Sequence, residues 1–198
     1  MDQLKQWQGE FGEAYTDRNT PDPQRRLPAF RQVLADLPLQ RVLEVGCNRG
    51  HNLVTFSEIL GPDAEIIGIE PNPHAQRIAR ASSDKIAVLQ GNAFDLPFKD
   101  GWFDLVFTAG VLIHIKLDDL PKALTEIHRV SRRYLLALEY FAEEETEIPY
   151  RGHTDLLWKR DFLKHYLTLF PDLKQVRSGY FGPEEGFDRQ HWWLLEKP

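Results

Sequence analysis

The sequence predicts an α/β fold with a doubly wound, mostly parallel sheet and an antiparallel strand at its carboxy-terminal edge. Runs of β-branched and aliphatic residues alternate with segments of helical period, which is typical of parallel strands joined by crossover helices. The predicted parallel strands are 41–45, 65–70, 86–90, 103–108 and 134–140. A helical stretch after Trp158 and two strand-like segments, 174–180 and 191–196, predict the antiparallel addition to the sheet.

Three helices with one apolar face each are expected to pack on this sheet. The first, 28–37, has Pro28 near its first turn. The second, 50–60, stops at Gly61, and the third, about 117–131, places leucine, isoleucine and valine at helical spacing. We interpret these apolar stripes as core rather than as cofactor contacts.

The composition is that of one globular domain. The chain has 198 residues, of which 42% are hydrophobic and 27% are charged, so it can bury a full core. We divide this single domain into an amino-terminal lid segment, 1–27, a cofactor-binding core, 28–140, and a substrate-side part, 141–198, that carries the antiparallel strands.

Charge and hydropathy disfavour several classes of partner. The formal net charge of −6 argues against a general nucleic-acid surface, since phosphate binding needs clustered lysine and arginine. The longest apolar runs are too short to span a bilayer, and the first residues lack the core of a signal peptide. A single cysteine, Cys47, cannot form an internal disulfide and is consistent with a reducing compartment. We therefore expect a cytoplasmic monomer or homodimer without nucleic-acid or membrane partners, and we assign no metal ligands.

Glu44 lies near the end of a predicted buried strand, just before a turn bounded by Gly46 and Gly50. Burying an acid is costly unless it meets a donor, so this position predicts a ligand that carries a positive group. The sulfonium and amino groups of S-adenosylmethionine fit that requirement. A dinucleotide would bring a pyrophosphate, which needs Gly-x-Gly-x-x-Gly rather than the Gly-x-x-x-Gly found here.

Four loops after predicted strands carry groups suited to such a ligand, because open α/β sheets bind ligands beyond the carboxyl ends of their strands. Loop 46–50 lets a ligand approach the backbone and offers helix N–H groups to a carboxylate. Glu70 can accept both ribose hydroxyls. Asn92 could hydrogen-bond an adenine edge, and Phe94 could flank its ring. The fourth loop, 108–114, would run beside the reacting atoms.

Each of these elements also has a plainer interpretation. Glu70, followed by Pro71, could cap a turn, and Asn92 could be a turn residue with left-handed backbone. The glycine pattern alone could be a tight turn. Cys47 between the glycines is better explained as a small, close-packed residue than as a nucleophile. The joint order and spacing of the elements is what favours a cofactor site.

Across about residues 40–140 the chain resembles the class I S-adenosylmethionine-dependent methyltransferases, which have a Rossmann-like sheet. The similarity is strongest at 44–50, Glu70 and 91–98. It implies S-adenosylmethionine as the cofactor and S-adenosylhomocysteine as its product.

The resemblance also assigns roles to individual residues. It implies that Glu44 supports the methionine end of the cofactor, that Glu70 holds the ribose and that Asn92 reads the adenine. Many of these methyltransferases have a glycine at the position of Asn48 and an aspartate at the position of Asn92. These two differences narrow the resemblance to a subfamily. The expected cofactor-binding residues are Tyr15, Arg18, Asn19, Glu44, Gly46, Cys47, Asn48, Gly50, Asn52, Glu70, Pro71, Asn92, Ala93, Phe94, Thr108 and Val111.

Segments outside this core narrow the resemblance further. Residues 10–19, 110–115, 150–153 and 158–162 together are similar to the pseudaminic acid biosynthesis-associated methylase family, over nearly the whole chain. That family's name derives from its association with sugar-acid pathways. The resemblance implies methyl transfer to an O or N atom of a small acidic metabolite, such as a nonulosonic sugar or its precursor.

Two residues are candidates for the chemical step. Methyl transfer from a sulfonium is an in-line displacement, so the protein mainly positions the nucleophile and excludes water. His114 is the first candidate for a base, because its unperturbed pKa lies near neutrality, and a packing role is the alternative. Glu139, at the end of the fifth strand, could orient an amine or act as the base, or could be a solvated carboxylate.

The segment 11–19 gathers polar and aromatic residues and is expected to close over the cofactor as a lid. A surface helix is the alternative, but the breaks at Gly12 and Asn19 favour the lid. Arg18 is expected to pair with the methionine carboxylate.

Four potential cations, Arg151, His153, Lys159 and Arg160, follow an acidic run and could clamp an acidic substrate. Lys159 and Arg160 could instead begin a helix and face water. The expected substrate-binding residues are Tyr15, His114, Tyr140, Tyr150, Arg151, His153, Lys159 and Arg160.

Other functions remain as alternatives. A non-catalytic regulatory or accessory protein would bind S-adenosylmethionine without any turnover. Methylation of protein or RNA is less favoured, because the chain has no appended recognition domain and no broad basic face. An NAD-linked oxidoreductase is disfavoured by the glycine spacing.

Overall fold

The computed structural model describes residues 2–198. Three helices come first: α1 (Asp2–Gln8), α2 (Glu10–Arg18) and α3 (Pro23–Leu34). The central part runs β1 (Arg41–Val45), α4 (His51–Leu60), β2 (Glu65–Glu70), α5 (Pro73–Ser82), β3 (Ala87–Gln90), β4 (Phe103–Ala109), α6 (Leu120–Val130) and β5 (Ser131–Glu139). The last part runs β6 (Thr146–Glu147), β7 (Trp158–Lys159), α7 (Phe162–Leu169), β8 (Lys174–Phe181) and β9 (Gln190–Glu196).

Seven of these strands form one sheet in the order β3-β2-β1-β4-β5-β9-β8. Neighbours among β1 to β5 are parallel, whereas β9 is antiparallel to both β5 and β8. The predicted doubly wound, mostly parallel sheet with an antiparallel edge is therefore confirmed. Because β2 lies on one side of β1 and β4 on the other, the loops after these strands diverge and leave a crevice at the carboxyl edge.

Helices cover both faces of the sheet. On one face, α3 and α4 contribute to a cluster that contains Phe30 and Val42. On the other, α6 and α7 contribute to a cluster that contains Leu43, Leu124 and Phe162. Successive residues of β1 thus enter different clusters, and burial on both faces explains why the strands have continuous apolar sequences rather than alternating ones.

Some helix ends differ from the predicted ones. Helix α3 begins at Pro23 because the side chain of Asp22 accepts a hydrogen bond from the N–H of Gln24 and caps it. Pro28 consequently lies inside the helix. Helix α6 begins at Leu120, after a short 3-10 turn, and α5 is an addition to the predicted elements. No helix within residues 2–198 has the length and apolar content needed to cross a bilayer.

Candidate functional site

A cavity of about 630 Å³ opens at the carboxyl ends of β1, β2 and β4, where the topology leaves its crevice. The loops after these strands line one side, and α1 and α2 line the other. Its volume falls in the range that holds cofactor-sized ligands. We call the part around Glu44, Glu70 and Asn92 the cofactor side, and the part around His114 and Tyr150 the acceptor side.

The turn after β1 is shaped by left-handed backbone. Gly46, Asn48 and Gly50 have φ angles of +78°, +45° and +75°. Asparagine tolerates this conformation better than most residues, so Asn48 can replace a glycine there. A side chain at Gly46 would lie 2.6 Å from a methyl of Val111, which explains the glycine by close packing of two cavity loops. Cys47 is buried, and burial raises its pKa well above the ordinary value, in agreement with a packing role.

Glu44 is held by one of its two oxygens. Its Oε1 accepts a hydrogen bond from Asn52 Nδ2 at 2.7 Å, and Asn52 Oδ1 accepts one from Arg26 Nη1 at 2.7 Å. The other oxygen, Oε2, is buried and has no hydrogen-bond partner within residues 2–198. Burial raises the pKa of Glu44 to about 8, although Asn52 and the charge of Arg26 act against it. An unpartnered carboxylate oxygen at a cavity wall is an acceptor for a cationic group.

Glu70 is oriented by the backbone of two loops. Its Oε1 accepts from the N–H of Asn72 and its Oε2 from the N–H of Asn48, both at 2.8 Å. Burial raises the pKa of this carboxyl to about 7, against the lowering effect of the two N–H groups. Glu70 therefore does cap a turn, and each oxygen retains a lone pair that can accept a hydroxyl of a ligand.

The loop after β3 contributes Asn92, Ala93 and Phe94 to the cavity wall. Asn92 Oδ1 accepts a hydrogen bond from the N–H of Phe94 at 2.8 Å, which makes Asn92 a turn residue. Its amide N–H2 can still donate to a ring nitrogen of a ligand, a role that an aspartate could not fill.

Helices α1 and α2 dock on the cavity through polar contacts. Asn72 Nδ2 donates to the carbonyl of Trp7 at 2.8 Å, and Thr16 Oγ1 donates to Asn48 Oδ1 at 2.9 Å. The break expected at Gly12 is absent from the described helix: Gly12 lies inside α2 and is buried. A Cβ on Gly12 would lie 1.8 Å from the carbonyl oxygen of Trp7, so the glycine permits close packing of α2 on α1.

The ring of His114 faces the acceptor side. Its Nδ1 lies 2.7 Å from the carbonyl of Leu156, and because a carbonyl only accepts, Nδ1 carries the proton. Burial lowers the pKa of His114 to about 4, so the ring is neutral near pH 7 and Nε2 has a free lone pair. The rings of Trp7, Tyr15 and Tyr150 lie 4.5, 6.3 and 5.7 Å from it, centroid to centroid.

Glu139 is a buried backbone anchor, not the substrate contact or solvated carboxylate that we expected. Its carboxylate is fully buried and accepts hydrogen bonds from the backbone N–H groups of Val111, Leu112 and Ile113. It is therefore neither a solvated carboxylate nor, among the described residues, part of the cavity wall. Its role is to fix the turn that presents His114, and burial raises its pKa to about 7.

Three of the four predicted cations lie outside the cavity wall as the described residues form it; only Arg151 lines it. Arg160 is buried and pairs with Glu145 and with the carbonyl of Ile115, so it neither clamps a substrate nor faces water. The exposed His153 packs against the ring of Phe11, and the ammonium of Lys159 lies 5.7 Å from the ring of Tyr140. The predicted clamp is thus wrong for Arg160, whereas substrate contacts of His153 and Lys159 stay predictions.

Two of the predicted cofactor contacts, Thr108 and Gly50, lie away from the cavity wall that the described residues form. Thr108 is fully buried inside β4, and Gly50 packs against α5, where a Cβ would lie 3.3 Å from Ala79. Neither lies among the described residues that line the cavity. The structure brings the other predicted residues together around it: Tyr15, Arg18, Asn19, Glu44, Gly46, Cys47, Asn48, Asn52, Glu70, Pro71, Asn92, Ala93, Phe94, Val111, His114, Tyr140, Tyr150 and Arg151.

Several cavity residues lie outside the motifs of the sequence. Gln3, Trp7, Arg26, His51 and Asp188 line the cavity but belong to no motif. Trp7 and Arg26 reach it from helices that precede the sheet, and Asp188 reaches it from the turn between β8 and β9. Among these five residues, Trp7 alone has a weak cue, because it precedes the aromatic segment 11–19 by four residues.

Comparisons with known proteins find methyltransferases among the proteins of similar sequence. Residues 42–133 match the protein family described as Methyltransferase domain. The chain is 33% identical over 126 residues to O-methyltransferase rstn1 from Aspergillus nomiae, which is 61% of this chain and 51% of that protein. It is 33% identical over 109 residues to demethylmenaquinone methyltransferase from Lactiplantibacillus plantarum, which is 50% of this chain and 45% of that protein. The matches thus span about half the length of these two relatives.

Solved structures share the fold over nearly the whole chain. Magnesium protoporphyrin IX methyltransferase from Synechocystis, solved with S-adenosylhomocysteine, has a TM-score of 0.72 at 11% identity and covers 98% of both chains. The 1,6-didemethyltoxoflavin-N1-methyltransferase from Burkholderia thailandensis has a TM-score of 0.69 at 16% identity and covers 99% of this chain and 86% of that one. Residues 42–133 are thus similar to a methyltransferase domain, and the chain as a whole has the fold of these solved methyltransferases.

Proposed function

We propose that the protein is an S-adenosylmethionine-dependent methyltransferase that acts on an O or N atom of a small acidic metabolite. The observation that carries the proposal is the buried Oε2 of Glu44 on the cofactor side, which has no hydrogen-bond partner among residues 2–198. The amino group of S-adenosylmethionine supplies the cation that this oxygen lacks. Glu70 and Asn92 line the same cavity, and in this proposal Glu70 accepts the ribose hydroxyls and Asn92 donates to the adenine.

The acceptor side has groups for positioning and proton removal. S-adenosylmethionine supplies an electrophilic methyl group, so the protein needs only to hold the acceptor in line with it and keep water out. The Nε2 lone pair of His114 can accept the proton that an acceptor hydroxyl or ammonium group loses. The three N–H groups that bind Glu139 keep the turn before His114 in place.

The acidic character of the acceptor is supported by two cations at the cavity. Arg18 lies over the ring of Tyr15, at 5.3 Å from its centroid, and donates to the hydroxyl of Tyr150. Arg151 lines the same part of the wall. A carboxylated sugar of the nonulosonic type, or its precursor, stays a candidate acceptor because of the family resemblance of the outer segments. O-methyltransferase rstn1 and the toxoflavin enzyme, by their names, methylate O and N atoms, and both atoms remain open here.

The cofactor is tested by calorimetric titration with S-adenosylmethionine, S-adenosylhomocysteine and NAD. We expect the first two to bind and Glu70→Ala to weaken both, whereas binding of NAD alone would refute the proposal. Turnover is tested by incubation with S-adenosylmethionine and a panel of small carboxylates, with chromatographic detection of S-adenosylhomocysteine. His114→Asn should abolish turnover while it preserves cofactor binding.

The second candidate function is a non-catalytic S-adenosylmethionine-binding accessory protein. It is favoured by the low pKa of His114, about 4, which makes the ring a weak base. Cofactor binding without S-adenosylhomocysteine formation across a broad acceptor panel would support this function instead.

A further inference from the structure

Two side-chain donors of α1 lie in the cavity wall and have no partner among the described residues. The indole Nε1 of Trp7 and the amide Nε2 of Gln3 are both buried atoms, and neither has a hydrogen-bond acceptor in the part of the chain that the structure describes. A buried N–H without an acceptor costs free energy, so its presence at a cavity wall indicates a ligand that supplies one.

The position of Trp7 is fixed independently of any ligand. Its carbonyl accepts a hydrogen bond from Asn72, and the absence of a side chain at Gly12 lets the two helices pack. Its ring makes edge contacts with Phe11 and Tyr15 at 5.1 and 5.2 Å. The indole is therefore a rigid donor, because rotation away from the cavity would break these contacts.

The same indole lies against the candidate base. The ring centroids of Trp7 and His114 are 4.5 Å apart. The Nε2 of His114 accepts hydrogen bonds, because its Nδ1 already donates to Leu156. One small molecule can therefore contact both groups, with a proton-bearing atom towards His114 and an oxygen acceptor towards Trp7.

We propose that Trp7, assisted by Gln3, selects a methyl acceptor in which a carbonyl or carboxylate oxygen neighbours the hydroxyl or amine that is methylated. The inference rests on the proposed function and names the substrate class for that site. The nucleophile gives its proton to His114 Nε2 as its bond to the methyl carbon forms and the carbon–sulfur bond breaks. The adjacent oxygen stays unchanged and accepts the indole N–H.

The test uses salicylate, which has a hydroxyl beside a carboxylate, with phenol and benzoate as probes that each keep one of the two groups. Each probe is titrated into the 15N-labelled protein saturated with S-adenosylhomocysteine, and the indole N–H signals of the five tryptophans are followed. The signal of Trp7 is the one that Trp7→Phe removes. Trp102→Phe is the matched control, because Trp102 packs against Arg41, at 4.1 Å from its guanidinium, away from the cavity.

We expect salicylate to shift the Trp7 signal downfield and to bind more tightly than phenol or benzoate. Trp7→Phe should weaken salicylate binding by about tenfold, the loss expected for one hydrogen bond to a charged acceptor, while Trp102→Phe should not. Salicylate binding that leaves the Trp7 signal unmoved, equal affinity in Trp7→Phe, or no binding of any probe would overturn the inference. Failure of S-adenosylhomocysteine itself to bind would instead refute the proposed function and the inference with it.

Discussion

Asn52 holds Glu44 by one oxygen and leaves the other for a ligand. The amide of Asn52 donates to Glu44 Oε1 at 2.7 Å and accepts from Arg26, so its orientation is determined on both sides. The carboxylate therefore cannot turn its free oxygen away from the cavity without losing a buried hydrogen bond. The position of this free oxygen is thus fixed before a cationic ligand binds.

Glu44→Gln should weaken binding of S-adenosylhomocysteine about tenfold to a hundredfold. The substitution keeps the shape of the side chain but replaces a charge-assisted hydrogen bond with a neutral one, a loss of roughly 1.5–3 kcal/mol. Isothermal calorimetry at pH 7.5 measures the change, and Glu143→Gln, at an exposed position, is the control. Unchanged affinity in Glu44→Gln would show that the amino group of the ligand lies elsewhere.

The ligand-free protein should lose stability as pH rises from 6.5 to 8. Burial raises the pKa of Glu44 to about 8 and those of Glu70 and Glu139 to about 7, from an ordinary 4.5. The folded state binds these protons more tightly than the unfolded state does. The stability that this contributes is fully present below pH 4.5 and is lost as pH rises through the pKa values of the folded protein.

Histidines act in the opposite sense at lower pH. The pKa of His51, His114 and His128 falls to about 4 from 6.5, mainly by burial, so they remove stability as pH falls from 6.5 to 4. Between pH 4.5 and 6.5, the stability that the histidines gain as pH rises offsets the stability that the glutamates lose. Above pH 6.5 only the loss from the glutamates remains. Thermal unfolding from pH 5 to 8.5 should show a melting temperature that declines above pH 6.5, with a smaller decline for Glu44→Gln. A melting temperature that rises over this interval would contradict the assignment.

Gly12→Ala should weaken binding of S-adenosylhomocysteine by about tenfold or more, because the docked arrangement of α1 on α2 has no room for a Cβ. The added carbon would lie 1.8 Å from the carbonyl of Trp7 and 2.7 Å from Asn72 Nδ2, so α1 must move from the cavity. Glu13→Ala, on the exposed face of the same helix, is the control. Calorimetry gives the affinities, and the proposed lid role predicts that only Gly12→Ala lowers them. Equal affinities in the two variants would mean that α1 and α2 do not help to hold the cofactor.

Glu139→Ala should destabilise the protein by about 2–4 kcal/mol and should leave the turn before His114 disordered. It removes the acceptor of three N–H groups of that turn, two of them buried, and each buried unsatisfied donor costs roughly 1–3 kcal/mol before relaxation. Urea unfolding measures the loss, with Glu143→Ala as the control. Glu139→Gln should recover part of the stability because its carbonyl oxygen can still accept. A loss below 0.5 kcal/mol would show that the turn needs no such anchor.

Strands and the loops between them could be predicted because their signals are local. The apolar run at β1, the glycines after it and the acid at the end of β2 each depend on neighbouring residues in the chain. Topology then brings the carboxyl ends of parallel strands together without further information. This explains why Glu44, Glu70 and Asn92 lie at one cavity.

The errors fall where orientation depends on distant partners. Arg160 resembles any exposed cation in sequence, but it is buried because Glu145 and the carbonyl of Ile115 meet it. Glu139 ends a strand at the expected edge, yet its carboxylate turns towards the backbone of residues 111–113 and leaves the cavity wall. The sequence predicts a helix break at Gly12, whereas the structure explains this glycine by the close packing of α1 on α2.

The sequence by itself determined the α/β class, the positions of the parallel strands along the chain, and the acid and amide side chains of the cofactor side. It could do so because periodicity and turn chemistry depend on residues that are adjacent in the chain. Only the tertiary structure decided how α1 and α2 cover the cavity, which cations reach it and which oxygen of Glu44 stays unpartnered. These features depend on hydrogen bonds and packing between residues far apart in the chain, such as Asn72 with Trp7 and Asn52 with Arg26. A local sequence pattern does not predict a contact between residues that are far apart in the chain, because that contact forms only when the chain folds.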